Sequence, residues 1–212
     1  MIKIKMNKLM IFKRLQILEE KEKKREKEKE KEKEKEFILL KDIKESSICK
    51  NDEISFFIGE LQKHEKFINK KIGFKLLFKS SIDGDKLSNL HNKCDNIQSV
   101  LLLIKTIKGV RFGGYTEIGF NNEGKEVNDN KAFVFSLDKK NIYNNKNNPA
   151  IYCYYNVIGF KNTIYIFDNF CSNSSNQNVG GYSEYSCKQY ELNNGEQYFQ
   201  ISDFEIFQIF NN

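Results

Sequence analysis

Short apolar runs rich in aromatic and β-branched residues recur along the chain from Gly73 onward. Such residues favour pleated, half-buried strands, and the Asn- and Gly-rich stretches between the runs favour turns. The runs predict strands over residues 74–79, 100–106, 111–116, 131–137, 150–155, 163–167, 188–192, 197–201 and 204–210. Strands do not alternate regularly with helices, and no internal repeat is visible. The pattern therefore predicts an α+β fold, a two-sheet antiparallel β-sandwich with flanking helices, rather than a parallel α/β fold.

The first 36 residues differ in composition from the rest and predict two separate segments ahead of the domain. Residues 1–18 combine apolar residues with five basic residues and no acid. This pattern fits either a frayed extension or an amphipathic helix that contacts anionic lipid. Residues 19–36 alternate Lys and Glu, with nine charges of each sign, and lack the apolar stripe of a coiled coil. They predict a charged, solvated low-complexity spacer, disordered or partly helical, and residues 37–212 form the expected globular domain.

The domain should open with a helix before its first strand. Apolar side chains over residues 54–68 recur at near-helical spacing, and Asn51 or Asp52 is the expected N-cap. Loops are expected at residues 141–148 and 172–181, where Asn, Ser and Gly are concentrated.

The distribution of charge argues against a nucleic-acid-binding domain. The formal net charge is +6, but five of the positive charges lie in the first 18 residues, so the globular part is nearly neutral. A nucleic-acid footprint would need basic residues clustered on the domain, with Arg favoured for contacts to base edges. Only Arg14, Arg25 and Arg111 are present. No nucleic-acid partner is therefore expected.

Cysteine usage and hydropathy indicate the compartment. The five cysteines are scattered, without CxxC or zinc-finger spacing. No apolar run approaches the roughly 20 residues that a membrane span requires, and none resembles the apolar region of a signal peptide. These features predict a cytoplasmic protein with reduced thiols and with no metal or cofactor. Membrane contact is expected only through residues 1–18.

A pair of glycines lies inside one predicted strand. Glycine normally weakens strand pairing, so Gly113-Gly114 predicts a β-bulge or a very close backbone approach. A phosphate-binding loop would instead need a following helix and a Lys-Ser/Thr pair. The residues that follow, beginning with Tyr115, are typical of a strand.

A second motif joins a turn to a short amphipathic segment. Asp83-Gly84 follows the first strand, and a segment ending at Cys94-Asp95 comes next. On a helix His91 and Cys94 lie three residues apart and could meet. A reactive thiolate would need a cationic setting to lower its pKa, whereas free cysteines are more often small buried core residues. Both interpretations of Cys94 stay open.

The order of these motifs resembles the TLDc domain family. The matching pieces are LLFKSSIDGD, LHNKCD, LLIKT, FGGYT, KAFVFSL and the closing YFQISDFEIFQI, and the resemblance covers about Ser46 to Ile209. It implies a non-enzymatic protein-interaction module that contributes to oxidative-stress resistance. It also implies binding to subunits of the vacuolar proton-pumping ATPase and regulation of that enzyme, with recruitment to the membranes of acidic organelles.

The resemblance also supplies candidate site residues, as family signature or partner-binding positions: Asp83, Gly84, His91, Cys94, Asp95, Phe112, Gly113, Gly114 and Tyr115. Two alternative functions remain. One is a thiol-based antioxidant or enzyme that uses Cys94, and the other is a membrane-surface adaptor that acts through residues 1–18. The oligomeric state is left open.

Overall fold

The structure is a computed structural model, and it describes residues 14, 16–29, 43, 46–121, 124–147, 149–172, 177–180 and 184–211. Residues 16–29 form helix α1, whose side chains are exposed. Most of the proposed amphipathic segment, together with residues 30–36 of the spacer, lies outside the described residues. No helix in the described part of the chain is long and apolar enough to cross a membrane.

Helices and strands of the domain follow in one order along the chain. A 3-10 turn over Asn51–Glu53 leads into helix α2, Ile54–Leu61, and two further helices are α3, Ser80–Asp83, and α4, Leu87–Cys94. The predicted N-cap was Asn51 or Asp52, whereas the N-cap of α2 is Glu53, one or two residues later. Helix α2 begins at Ile54 because Glu53 accepts a hydrogen bond from the Lys50 N–H (2.7 Å) and closes the 3-10 turn first.

The described residues contain eleven strands. They are β1 Ile72–Lys79, β2 Val100–Thr106, β3 Arg111–Thr116, β4 Lys125–Val127, β5 Phe133–Ser136, β6 Asn141–Asn144, β7 Ile151–Tyr154, β8 Val157–Phe160, β9 Ile164–Phe167, β10 Asn178–Val179 and β11 Ile201–Asn211. Sheet A has the order β1-β11-β2-β3-β5-β6, and sheet B has the order β10-β9-β8-β7-β4. Every strand pair is antiparallel. The predicted α+β fold with a two-sheet antiparallel β-sandwich is confirmed.

Sheet A is buried on both faces. Its inner face packs against sheet B through alternate residues of each strand, such as Leu102 and Phe112. The residues between them, such as Leu103 and Tyr115, point to the outer face and are fully buried as well. They are covered by residues 46–71, which we call the N-terminal layer, since rings of this layer pack on Tyr115. The continuous apolar run of β2 reflects this burial on both sides.

Several predicted strands are observed almost as expected, and some are not. The strands at 100–106 and 111–116 match β2 and β3 residue for residue. The strand predicted at 188–192 is wrong: a 3-10 turn occupies Glu191–Asn193, between two residues in the left-handed conformation. The Asn-rich stretch from residue 141, predicted as a loop, begins with β6 because its Tyr143 is buried in the core. Strand β8 was also missed, since its VIGF run is short and contains a glycine.

The glycine pair in β3 allows close approach on both faces of sheet A. Pairing with β2 and β5 runs through Gly113 and Gly114 without a register shift, so the predicted alternative of a bulge does not apply. A Cβ at Gly114 would overlap the ring of Phe160, which lies on sheet B. A Cβ at Gly113 would overlap the carbonyl oxygen of Leu102. The predicted close backbone approach is confirmed at Gly113, whereas at Gly114 the close neighbour is a side chain.

We expect Gly113→Ala to lower the free energy of unfolding by about 1–3 kcal/mol, because the new methyl group meets backbone that cannot turn away. Gly59→Ala is the matched control, since Gly59 is an exposed position of α2 with open space where a Cβ would lie. It should raise stability by about 0.5–1 kcal/mol. Urea unfolding of both variants tests this, and equal effects of the two substitutions would contradict the packing argument.

Candidate functional site

Asp83 and Gly84 end helix α3 and organise the turn that leads to α4. Gly84 has a φ of +82°, a backbone conformation that favours glycine. The Asp83 carboxylate accepts hydrogen bonds from the Lys79 N–H (2.9 Å) and the Lys93 ammonium (2.6 Å). Burial alone would raise the pKa of Asp83, but these hydrogen bonds and the charge of Lys93 hold it below its usual value. The Asp83 carboxylate therefore stabilises the tight turn between α3 and α4.

Helix α4 is anchored at its N-terminus by a residue from sheet B. Asp168, which follows β9, accepts a hydrogen bond from the N–H of Leu87 (2.8 Å). A carboxylate at this position satisfies one of the unpaired donors of the first turn and complements the helix dipole. Asp168 thereby joins α4 to sheet B.

His91 pairs with Asp95 rather than with Cys94. The Nδ1 atom of His91 lies 2.7 Å from an oxygen of Asp95, one turn further along the chain. Cys94 is fully buried in the core between the sheets. Burial raises the pKa of its thiol to about 12, and the charge of Asp95 adds to this while Lys93 opposes it. The thiolate that a nucleophile needs is therefore strongly disfavoured at neutral pH.

The FGGY signature lies in the core. Residues from Phe112 to Tyr115 are buried on the central strand β3. The Tyr115 ring stacks on Phe133, at a centroid distance of 5.2 Å, on the outer face of sheet A. In this structure these residues support the packing of the N-terminal layer on sheet A. The assignment of the signature to partner binding stays a prediction.

A dense polar network, missed at the level of sequence, joins the N-terminal layer to sheet A around Arg111. Its guanidinium donates to both oxygens of Glu53 (2.8 and 2.9 Å), to the carbonyl of Ile48 (3.1 Å) and to Asp138 (2.8 Å). The planar fork of Arg matches a carboxylate in this bidentate way. Hydrogen bonding to Glu53 raises the pKa of Arg111 despite its burial. We call this set of contacts the Arg111 clamp.

A second set of contacts surrounds the fully buried carboxylate of Glu205 on β11. It accepts hydrogen bonds from the hydroxyl of Ser46, from the N–H and hydroxyl of Ser47 and from the ammonium of Lys79 (2.7 Å). The single hydroxyl proton of Ser47 is shared between Glu205 and Asp203, which lie on the same strand. A buried carboxylate is tolerated only with such full compensation. We call this set the Glu205 clamp.

A comparison with protein families matches residues 43–210 to the TLDc domain. This span is well over half of the 212-residue chain and contains the N-terminal layer with both sheets. The chain belongs to the TLDc domain family. No curated protein matches the chain. Both clamps lie inside the TLDc domain: the Arg111 clamp holds its first segment against β3, and the Glu205 clamp holds it against the last strand, β11.

A buried histidine of the TLDc domain sits between the N-terminal layer and sheet A. The His64 ring packs on Tyr115 (centroids 5.6 Å apart) and on Phe133 (6.3 Å). Its Nδ1 atom has no hydrogen-bond partner among the described residues. Burial lowers the pKa of His64, and the charge of Lys131 lowers it further, against weaker opposing effects of nearby carboxylates. The folded domain therefore favours the neutral form of the His64 ring.

We expect the Arg111–Glu53 pair to contribute far more to stability than an exposed ion pair of the same domain. Removing one partner of a buried pair costs about 3–5 kcal/mol because the other charge is left unpaired. The matched control is Lys108–Glu196, whose side chains are 65% and 51% exposed and whose coupling should stay below about 1 kcal/mol. Double-mutant cycles with Ala at each position, read by urea unfolding, measure both couplings. Equal coupling energies would show that the Arg111 clamp does not secure the layer.

We also expect TLDc domain stability to fall over a pH window that opens below about pH 6.5. The unfolded chain protonates His64 near its ordinary pKa of about 6.5, whereas the folded domain resists protonation. The stabilisation is thus complete above pH 6.5 and is lost as the pH falls through the lowered pKa. Unfolding of the parent protein and of His64→Phe across this window tests the assignment. An unchanged pH dependence in His64→Phe would place the effect elsewhere.

Proposed function

We propose that this protein is a non-enzymatic TLDc interaction module that binds the vacuolar proton-pumping ATPase, regulates it and contributes to oxidative-stress resistance. The observation that carries the proposal is the TLDc match over residues 43–210. The partner is the one implied by the resemblance of the signature motifs to this family. Binding would take place in the cytoplasm, at the membranes of acidic organelles.

The environment of the signature residues supports an interaction role over a thiol-based one. Cys94 is buried and its pKa is raised to about 12. Cys49, on the N-terminal layer, is also buried with a pKa of about 12, chiefly because of desolvation and then because of the charge of Glu53. Thiols in such settings behave as small apolar core residues. The chemistry of the domain therefore favours binding through its surface.

The test is a pull-down of the full chain with purified vacuolar ATPase, with ATP hydrolysis measured alongside. We expect saturable binding and a change in the hydrolysis rate. The matched comparison is Cys94→Ser, which is close in size and should bind and alter hydrolysis as the parent does. Failure of the folded parent protein to bind would overturn the choice of partner.

The same variant separates binding from redox chemistry in cells. We expect Cys94→Ser to protect cells from peroxide as well as the parent protein does, at equal expression and thermal stability. Loss of protection in a folded Cys94→Ser protein would favour the thiol-based alternative instead.

A further inference from the structure

A pocket of about 500 Å³ lies beside the Arg111 clamp, between residues 46–50 and the hairpin that joins β2 to β3. Three of its eight lining residues are cations, Lys50, Lys105 and Arg111, and none is an acid. The domain as a whole is nearly neutral. The side chains that line the pocket thus carry positive charge and no negative charge.

Two of the three cations are available to a ligand. The ammonium groups of Lys50 and Lys105 form no hydrogen bond or ion pair with any described residue, and Lys50 is exposed while Lys105 is half-buried. Asp203 lies opposite Lys105 on the neighbouring strand. Its carboxylate accepts instead from the hydroxyls of Ser47 and Ser80 and from a backbone N–H.

Arg111 forms a fixed wall of the pocket but adds little net charge to it. It is held on one side by Glu53 and on the other by Asp138, so its own charge is compensated. An incoming anion would therefore be bound mainly by the two lysines, which act as flexible point charges rather than as a planar fork.

The backbone donors around the pocket distinguish between kinds of anion. Phosphate sites in proteins are commonly built from several free backbone N–H groups that converge on the anion. Here the N–H groups of Ile48 and Cys49 donate to the Ser46 hydroxyl (3.1 and 3.0 Å), and that of Lys50 donates to Glu53. The N–H of Arg111 donates to Asp138 (2.8 Å). With these donors occupied, two flexible ammonium groups in an open pocket suit carboxylates on side chains better than a phosphate group.

We propose that this pocket, which we call the Lys50–Lys105 pocket, binds acidic side chains of a protein partner. The inference rests on the proposed function, in that the domain acts by binding a protein, and it adds the chemistry that this partner presents. The attraction comes from solvent-accessible charge, so it should weaken as salt rises.

The test uses the full chain and a fluorescein-labelled hexaglutamate peptide, with binding read by fluorescence anisotropy at low salt. We expect the double variant Lys50→Ala/Lys105→Ala to bind the peptide about tenfold more weakly, as the loss of about 1.4 kcal/mol predicts. The control is Lys75→Ala/Lys188→Ala, which removes two exposed lysines from other parts of the domain. It should change affinity less than about twofold, since surface charges away from the site contribute little.

Charge reversal gives a second test that does not depend on loss of binding. The Lys50→Glu/Lys105→Glu variant should lose the hexaglutamate peptide and gain affinity for a hexalysine peptide, provided that its unfolding transition matches that of the parent. Absence of peptide binding by the parent protein, or an equal loss in the control variant, would overturn the proposal. The proposal would also be overturned if inorganic phosphate displaced the labelled peptide at a lower concentration than unlabelled hexaglutamate does.

These assays contain no ATPase, so they fail or succeed separately from the pull-down. Peptide binding at the pocket without ATPase binding would overturn the choice of partner and keep the acidic chemistry. ATPase binding that is unaffected by Lys50→Ala/Lys105→Ala would keep the partner and overturn the role of the pocket.

Discussion

The pairing of buried charge at Arg111 and Glu205 is the constraint on which the rest of the domain depends. The central strands of sheet A are buried on both faces, and their outer face can stay buried only while the N-terminal layer remains attached. Each clamp ties residues early in the domain to strands in the middle of the sheet. The same contacts border the Lys50–Lys105 pocket, because they hold the carboxylates of Glu53 and Glu205 away from its lysines. Attachment of the layer and the charge of that surface are therefore physically linked.

Much of the fold follows from local patterns in the sequence. The runs that became β2 and β3 are long, apolar and bounded by turn signals, so strand propensity and burial agree there. The strand predicted over residues 188–192 is wrong. Glu191 accepts a hydrogen bond from the N–H of Lys188 (2.8 Å) and stabilises a turn there, although the composition of this stretch favours a strand. Side-chain bonds to nearby backbone compete with strand pairing in this way. Strand β6 is the opposite case: its Asn-rich composition predicts a loop, but pairing with β5 makes it a strand.

The clamps were out of reach of sequence reasoning because their partners are far apart in the chain. Glu53 and Arg111 are separated by 58 residues, and Ser46 and Glu205 by 159. Nothing in the local sequence around a serine or glutamate shows which distant residue it will contact. Rarity was the one usable signal, since Arg111 is the only arginine beyond the charged N-terminal segments. In contrast, the turn at Asp83-Gly84 is closed by residues close in sequence and could be predicted.

The place of β11 in sheet A sets the order in which the chain can fold during synthesis. This strand lies between β1 and β2, although β1 and β2 are made long before it. Lys79 is synthesised 126 residues before its partner Glu205. At a translation rate of roughly 5–20 residues per second, the ion pair can form only after a delay on the order of 10 s. Until then the β1 segment has no strand neighbour, and the N-terminal layer lacks the Glu205 clamp. Nascent chains of this protein would thus expose an unpaired apolar strand to chaperones for most of the time that the domain takes to be translated.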